Sequence, residues 1–97
     1  MHVLLISVRG ASATAGARMI LADAIADAGG WVTMTNDLGR EQVVVGFELD
    51  HGDVDRMSRA LQSAGLSVLD WQERGAGAPI AGSIAYIPIS PDRAHDG

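Results

Sequence analysis

An α+β fold is predicted for this chain of 97 residues, because its apolar pattern changes period repeatedly along the sequence. Short runs rich in β-branched residues alternate with two segments in which apolar residues recur every three or four positions. Glycine follows both of these helical segments, as expected at helix ends. The length fits one domain over residues 1–90, and the polar stretch 91–97 is expected to be a flexible tail.

The first strand and the first helix are predicted at residues 3–9 (VLLISVR) and 13–28. Ser12 or Thr14 can cap the start of this helix, and Gly29 with Gly30 marks its end. One face of the helix is apolar at helical spacing and is expected to pack on the core. That face carries Ala17, Leu21, Ala24 and Ala28.

A β-hairpin is predicted after the first helix, because two runs of strand-forming residues are joined by a short turn. The strands are residues 31–36 (WVTMTN) and 42–49 (QVVVGFEL), and the turn is residues 37–41. In the second strand, the side that carries Phe47 is expected to face the helices.

A second helix followed by a strand is predicted in the next segment. Asp53 can cap this helix, Asp55 lies in its first turn, and Gly65 ends it. Its core-facing stripe consists of Val54, Met57, Leu61 and Ala64. The following strand is expected over residues 66–72.

The carboxy-terminal part is predicted to contain a flexible connection and one more strand. Residues 73–83 hold three glycines and a proline, which favour irregular structure. Residues 83–90 form the short last strand. Pro88 is expected to place this strand at an edge of the sheet, because proline cannot donate a hydrogen bond.

This order predicts a ferredoxin-like βαββαβ sandwich, with a four-stranded antiparallel sheet, both helices on one face and an added carboxy-terminal strand. Residues 3–9 and 42–49 are the most continuously apolar strands and are expected at the centre. The face away from the helices keeps apolar side chains such as Val44. Such a face is seldom left bare, so we predict a homo-oligomer, most simply a dimer. The open sheet face, a strand edge or residues 83–89 would contact the partner.

The composition excludes several classes of function. Seven arginines and no lysine stand against twelve acidic residues, and a net charge of −5 disfavours nucleic-acid and anionic-membrane partners. The chain has no cysteine and therefore no thiolate chemistry. The apolar run at the amino end is only six residues long and lacks a preceding basic residue, so it does not resemble an export signal. A cytoplasmic protein without cofactors is expected.

No metal site is predicted. Asp50, His51, Asp53 and Asp55 form an acidic group, but calcium loops need more oxygen ligands at fixed spacing. The start of a capped helix explains these residues. His2 and His95 lie at the chain ends, where no catalytic pairing is expected for them.

The segment RGASATAG, residues 9–16, joins the first strand to the first helix and is the main candidate site. Five residues separate Gly10 from Gly16 and no lysine follows, so the segment is not a nucleotide-binding P-loop. The exposed N–H groups of a helix start still attract carboxylates, and small residues permit a close approach.

Residues 16–32 (GARMILADAIADAGGWV) resemble the first helix and second strand of ACT-type regulatory domains. The likeness of pattern extends over residues 3–72, including DVDRMSRALQSAGLSVLDW. It implies a dimer with a small effector, commonly an amino acid, bound near the first loop. The residues it places at that site are Arg9, Gly10, Ala11, Ser12 and Arg18.

A second resemblance is to acylphosphatases, which have a similar length and the same predicted fold. Arg18 and Asn36 stand at intervals that suit the phosphate-holding arginine and the water-positioning asparagine of that family. Three functions therefore stay open: a non-catalytic ACT-like module that binds a small anionic metabolite, an acylphosphatase-like hydrolase, and an oligomerisation protein without a ligand. The first is the leading expectation, with no catalytic residue.

Overall fold

A computed structural model describes residues 1–38, 41–49 and 54–89, and it confirms the α+β class. The predicted elements are present, and two strands differ clearly in extent. In chain order they are β1 (His2–Gly10), α1 (Thr14–Asp27), β2 (Gly30–Asp37), β3 (Val43–Leu49), α2 (Val54–Ser63), β4 (Ser67–Gly75) and β5 (Ile80–Pro88).

The sheet differs from the predicted one in strand number and in direction. It has five strands in the order β2-β3-β5-β1-β4, and β5 runs parallel to β1 and antiparallel to β3. The prediction of a four-stranded antiparallel sheet with the last strand added at an edge was therefore wrong. The sheet is mixed, and β1 and β3 are interior strands that flank β5 instead of pairing with each other.

The central position of β5 has a steric reason in its small residues. A Cβ atom added at Gly82 would lie 1.8 Å from the backbone oxygen of Leu4, so β1 and β5 approach each other more closely there than any side chain permits. Pro88 does not force an edge position, since it is the last residue of the strand, opposite Gly10. The predicted flexible connection 73–83 is mostly strand, and only residues 76–79 separate β4 from β5.

The hydrophobic core lies between one face of the sheet and the two helices. Buried side chains alternate along the three interior strands, and Phe47 faces the helices as predicted. The largest fully buried side chains of the strands are Tyr86, Phe47, Leu4, Leu49 and Ile84. They pack against Leu21 and Ile25 of α1 and against Met57 and Leu61 of α2.

The helix ends agree only in part with their predicted capping. Gly29 has a φ of 89°, a conformation that glycine adopts readily, and the chain leaves α1 there as predicted. At the other end the N-cap is Ala13, which makes no side-chain hydrogen bond, so neither Ser12 nor Thr14 occupies the cap position. Asp55 lies in the first turn of α2 as expected.

The hairpin pairing of β2 with β3 is confirmed, and it contains a register shift between Val32 and Met34. Some predictions lie outside the described residues. These are the acidic group at Asp50, His51 and Asp53, the cap of α2 and the tail 91–97.

Candidate functional site

The corner between β1 and α1 is closely packed from the inside. The Tyr86 hydroxyl donates a hydrogen bond of 2.5 Å to the backbone oxygen of Ser12, and the Tyr86 side chain is fully buried. The backbone N–H of Ile89 donates to the oxygen of Gly10 at 2.8 Å. Two carbonyl groups of the corner are thereby engaged by β5 and the residue after it.

Gly10 is required at this corner for space and not for an unusual backbone angle. A Cβ atom there would lie 2.8 Å from Leu66 Cδ2 and 2.9 Å from both Tyr86 Cε2 and the Tyr86 hydroxyl. The positive-φ glycines of the described chain are elsewhere, and Gly10 is not one of them. What this position requires is therefore the small volume of glycine. The Tyr86 ring fills the space that a ligand beneath Gly10 would need.

The five residues predicted to bind a ligand do not converge from one side. Arg9 is exposed on the sheet face opposite the helices, because its neighbours Val8 and Gly10 point into the core. Ala11 is exposed and Ser12 is half-buried. Arg18 is exposed on α1, which covers the other face of the sheet. The two arginines thus stand on opposite sides of the domain.

The residues of the hydrolase alternative are separated in the same way. Asn36 pairs with Val44 in the β2–β3 ladder, and this pair lies on the face away from the helices because Val43 and Val45 are buried. Arg18 projects from a helix on the opposite face. The two side chains therefore start from opposite faces of the sheet, and this arrangement gives no support to a shared phosphate position.

The His2 side chain has a partner that the sequence did not reveal. His2 Nε2 lies 2.9 Å from Glu73 Oε1, and Trp71 Nε1 donates to Glu73 Oε2 at 2.9 Å. His2 is the first residue of β1. The cluster joins β1 to the edge strand β4, and Trp71 packs against the core beside it. Within residues 1–38, 41–49 and 54–89, no group of three acidic, histidine or cysteine side chains could hold a metal ion.

The largest unexplained surface is the sheet face away from the helices, which we call the open face. Residues paired across neighbouring strands lie on the same face, so the strand register arranges its side chains in rows. The first row is Trp31, Glu48, Ala81, Val3 and Arg74. The second row is Met34, Gly46, Ser83, Leu5 and Gln72. The third row is Asn36, Val44, Ala85, Ser7 and Asp70. Ile87, Arg9 and Ser67 continue beyond it.

The second row of the open face is uncharged and carries apolar or small side chains on β2, β3, β5 and β1, whereas the charged side chains lie in the first row, in the third row and beyond it. They are Glu48, Arg74, Asp70 and Arg9. Leu5 is 40% exposed, and Trp31 and Met34 are each 49% exposed. Met34 leans over β3, because a Cβ atom at Gly46 would lie 2.6 Å from Met34 Cγ. Large apolar side chains gathered on one uncovered surface are typical of protein interaction sites.

Tyr86 was the main residue of this region that sequence reasoning missed. A usable signal was present in IAGSIAYI, residues 80–87, where large residues at 80, 84 and 86 alternate with small ones at 81, 83 and 85. That alternation is typical of a strand with one face in the core. The glycines and the proline of residues 73–83 were interpreted as a flexible connection, and the alternation in residues 80–87 was therefore not used.

The comparisons with known proteins add no relative to this description: no protein-family model, curated protein sequence or solved structure matches the chain. Neither helix in the described part of the chain is long and apolar enough to span a membrane.

Proposed function

We propose that this protein is a small non-catalytic module of the ACT-like kind that acts by self-association. The observation that carries the proposal is the open face, where Leu5, Trp31 and Met34 stay exposed. Burying apolar surface is the main driving force of association between proteins. Aromatic side chains and methionine are also enriched at protein interfaces.

The order of the strands supports a relation to the ferredoxin-like fold. If β5 is set aside, the remaining strands follow the order β2-β3-β1-β4, with both helices packed on one face. This is the arrangement predicted from the βαββαβ pattern. We interpret the protein as such a sandwich with a fifth strand inserted at its centre.

The filled corner at Gly10 favours an assembly role over an effector-binding role. Tyr86 and Ile89 already bind the backbone oxygens of Ser12 and Gly10, and the Tyr86 ring fills the space beneath Gly10. The separation of Arg18 from Asn36 likewise gives no support to hydrolysis of acyl phosphates. A purified sample is expected to show no acylphosphatase activity that depends on Arg18. Any hydrolysis that is detected is expected to be unchanged in Arg18→Ala.

Self-association is tested by sedimentation velocity of the full chain between about 1 and 100 µM, a range in which a dimer with a Kd of about 100 µM or tighter is populated. The sedimentation coefficient is expected to correspond to two copies at the upper concentrations. A species of one chain across the whole range would refute the proposal.

Binding of a small carboxylate at the start of α1 is a second candidate function with one observation in its favour. The N-cap Ala13 makes no side-chain hydrogen bond, and the first turn of α1 carries no acidic residue. Such a helix end attracts anions. The bound anion would lie on the outer side of the corner, within reach of Arg18.

Thermal-shift measurements with amino acids and small organic acids test this second function. A ligand at a hundred times its dissociation constant stabilises the folded state by about 2.7 kcal/mol. The shift is expected to disappear in Arg18→Ala and to persist in Arg59→Ala, a matched exposed arginine on α2 that lies outside the open face. Equal shifts in both variants would exclude binding at α1.

A further inference from the structure

The open face has the size that a pair of identical copies needs. Five strands about 4.8 Å apart and residues about 6.7 Å apart along each face give it an area of about 600 Å². Two copies packed face to face would therefore bury about 1,200 Å² in total, at the lower end of the range for specific interfaces.

The arrangement of residues is complementary to itself under one particular two-fold rotation. In a symmetric pair with the axis along β5, each residue of β2 lies over β4 of the second copy, and each residue of β3 lies over β1. The axis passes over Ala81, Ser83 and Ala85, whose side chains are small enough to let the two central strands approach.

The charged groups at the sides of the open face find partners under this rotation. Trp31 lies over Arg74 of the second copy, and Glu48 stands beside that same arginine, since Trp31 and Glu48 are paired across β2 and β3. An arginine over an indole ring is attracted to its face, and a nearby carboxylate adds an ion pair.

The apolar groups are matched in the second row. Met34 leans over β3 and so lies opposite Leu5 on β1 of the second copy. Asn36 lies over Asp70 in the third row, where the amide can donate to the carboxylate. Asp70 already accepts a hydrogen bond of 3.0 Å from Gln72, which holds its side chain in place.

We propose that the open face is covered by a second copy of this chain, packed face to face about a two-fold axis along β5. This inference rests on the proposed self-association and assigns it one surface and one geometry. Leu5 and Met34 form the apolar contacts, and Trp31 with Glu48 receives Arg74 of the other copy. Packed sheets cross at about 30°, so the contacts of Leu5 with Met34 next to the axis stay closest, and the pairs of β2 with β4 are displaced along the strands by about 5 Å.

The first experiment compares Leu5→Glu with Met19→Glu in sedimentation velocity. Both positions are exposed apolar residues of the single copy, 40% and 72% exposed, so neither substitution disturbs the core. Leu5→Glu would bury an unpaired charge twice in the symmetric interface, and the dimer's Kd is expected to rise by about a hundredfold or more. Met19→Glu lies on α1 and is expected to leave the Kd unchanged.

The second experiment determines the direction of the axis with single cysteines, which is straightforward because the chain has none of its own. Ala81→Cys, Ser83→Cys and Ala85→Cys are treated with a short bismaleimide, since stacked sheets lie about 10 Å apart, too far for a disulfide. All three are expected to cross-link to a dimer, and Met19→Cys is not. With an axis across the strands at Ser83, two copies of Ala81 would be about 17 Å apart and would not react with a short bismaleimide.

The outcomes separate this inference from the proposed function. A dimer that Leu5→Glu weakens and that all three β5 cysteines cross-link supports both. A dimer that Leu5→Glu leaves intact refutes the face-to-face geometry alone, because it forms through an edge strand or the helices. A wild-type chain that stays monomeric refutes both and leaves the open face to a different protein.

Discussion

Gly82→Ala is the substitution that tests most directly whether β5 lies between β1 and β3. Gly82 pairs with Leu4 on one side and with Phe47 on the other. The added methyl carbon would lie 1.8 Å from the Leu4 backbone oxygen, 2.8 Å from its carbonyl carbon and 3.0 Å from its nitrogen. These atoms are backbone, so no side-chain rotation can relieve the contact.

The cost follows from the separation that the methyl group needs. An ordinary contact of carbon with oxygen requires well over 3 Å, so β1 and β5 must separate locally by more than an ångström. Overpacking of this kind costs about 1–3 kcal/mol, and each buried backbone group that loses its partner adds about 1–3 kcal/mol. The total loss is about 3–5 kcal/mol. The free energy of unfolding of an ordinary domain is about 5–15 kcal/mol, so this loss is a large part of it.

Thermal unfolding followed by circular dichroism measures this loss. At about 4–8 °C for each kcal/mol, Gly82→Ala is expected to lower Tm by at least about 12 °C. Ser83→Ala is the matched control, because the neighbouring side chain lies half-buried on the open face, and its effect is expected to stay within about 0.5 kcal/mol. Equal melting temperatures for Gly82→Ala and the wild type would refute the close approach of β1 and β5.

The corner between β1 and α1 gives three further predictions. In urea unfolding, Gly10→Ala is expected to lower the free energy of unfolding by about 1–3 kcal/mol, because its methyl group meets Leu66 and Tyr86. The methyl group of Gly16→Ala makes only ordinary contacts, so this variant is expected to stabilise α1 by up to about 1 kcal/mol. Tyr86→Phe removes the hydrogen bond to Ser12 and is expected to lower the free energy of unfolding by about 0.5–1.5 kcal/mol; an unchanged urea midpoint would contradict that bond. Burial raises the pKa of Tyr86 above its ordinary value of 10.0. The stability that the neutral, buried Tyr86 side chain contributes is therefore present below pH 10 and is lost as the pH rises through the raised pKa. Ultraviolet absorbance of the single tyrosine measures this titration, and an ionisation at or below pH 10 in the folded state would be inconsistent with its burial.

The sequence predicted the local elements because they depend on local signals. Apolar spacing located both helices, and β-branched runs located β1, β2 and β3 to within one or two residues. Strand pairing depends on contacts between distant residues, and no local signal showed that β5 would enter between β1 and β3. The glycines of residues 73–83 were interpreted as flexibility, whereas Gly82 is needed because two backbones meet there.

The candidate site shows the same division between local and long-range information. The small residues around Gly10 were identified as a place of close approach, and the structure does place a close contact there. The approaching group is Tyr86, which lies 76 positions further along the chain and could be identified only from the sheet order. The placement of Arg9 and Arg18 on opposite sides likewise depends on which sheet face the helices cover.

The insertion of β5 and the proposed face-to-face pairing are connected physically. A sheet of four strands would offer an open face about one fifth smaller, so two copies would bury less than about 1,200 Å², the lower end of the range for specific interfaces. The fifth strand also occupies the centre of the sheet, where a two-fold axis brings a strand against its own copy. The small side chains of Ala81, Ser83 and Ala85 make that central approach possible. Larger side chains there would hold the sheets apart and remove the contacts of Leu5 with Met34 on either side. Ala85→Trp is therefore expected to weaken the dimer while the core on the opposite face stays folded, and a dimer of unchanged Kd would show that β5 does not lie on the axis.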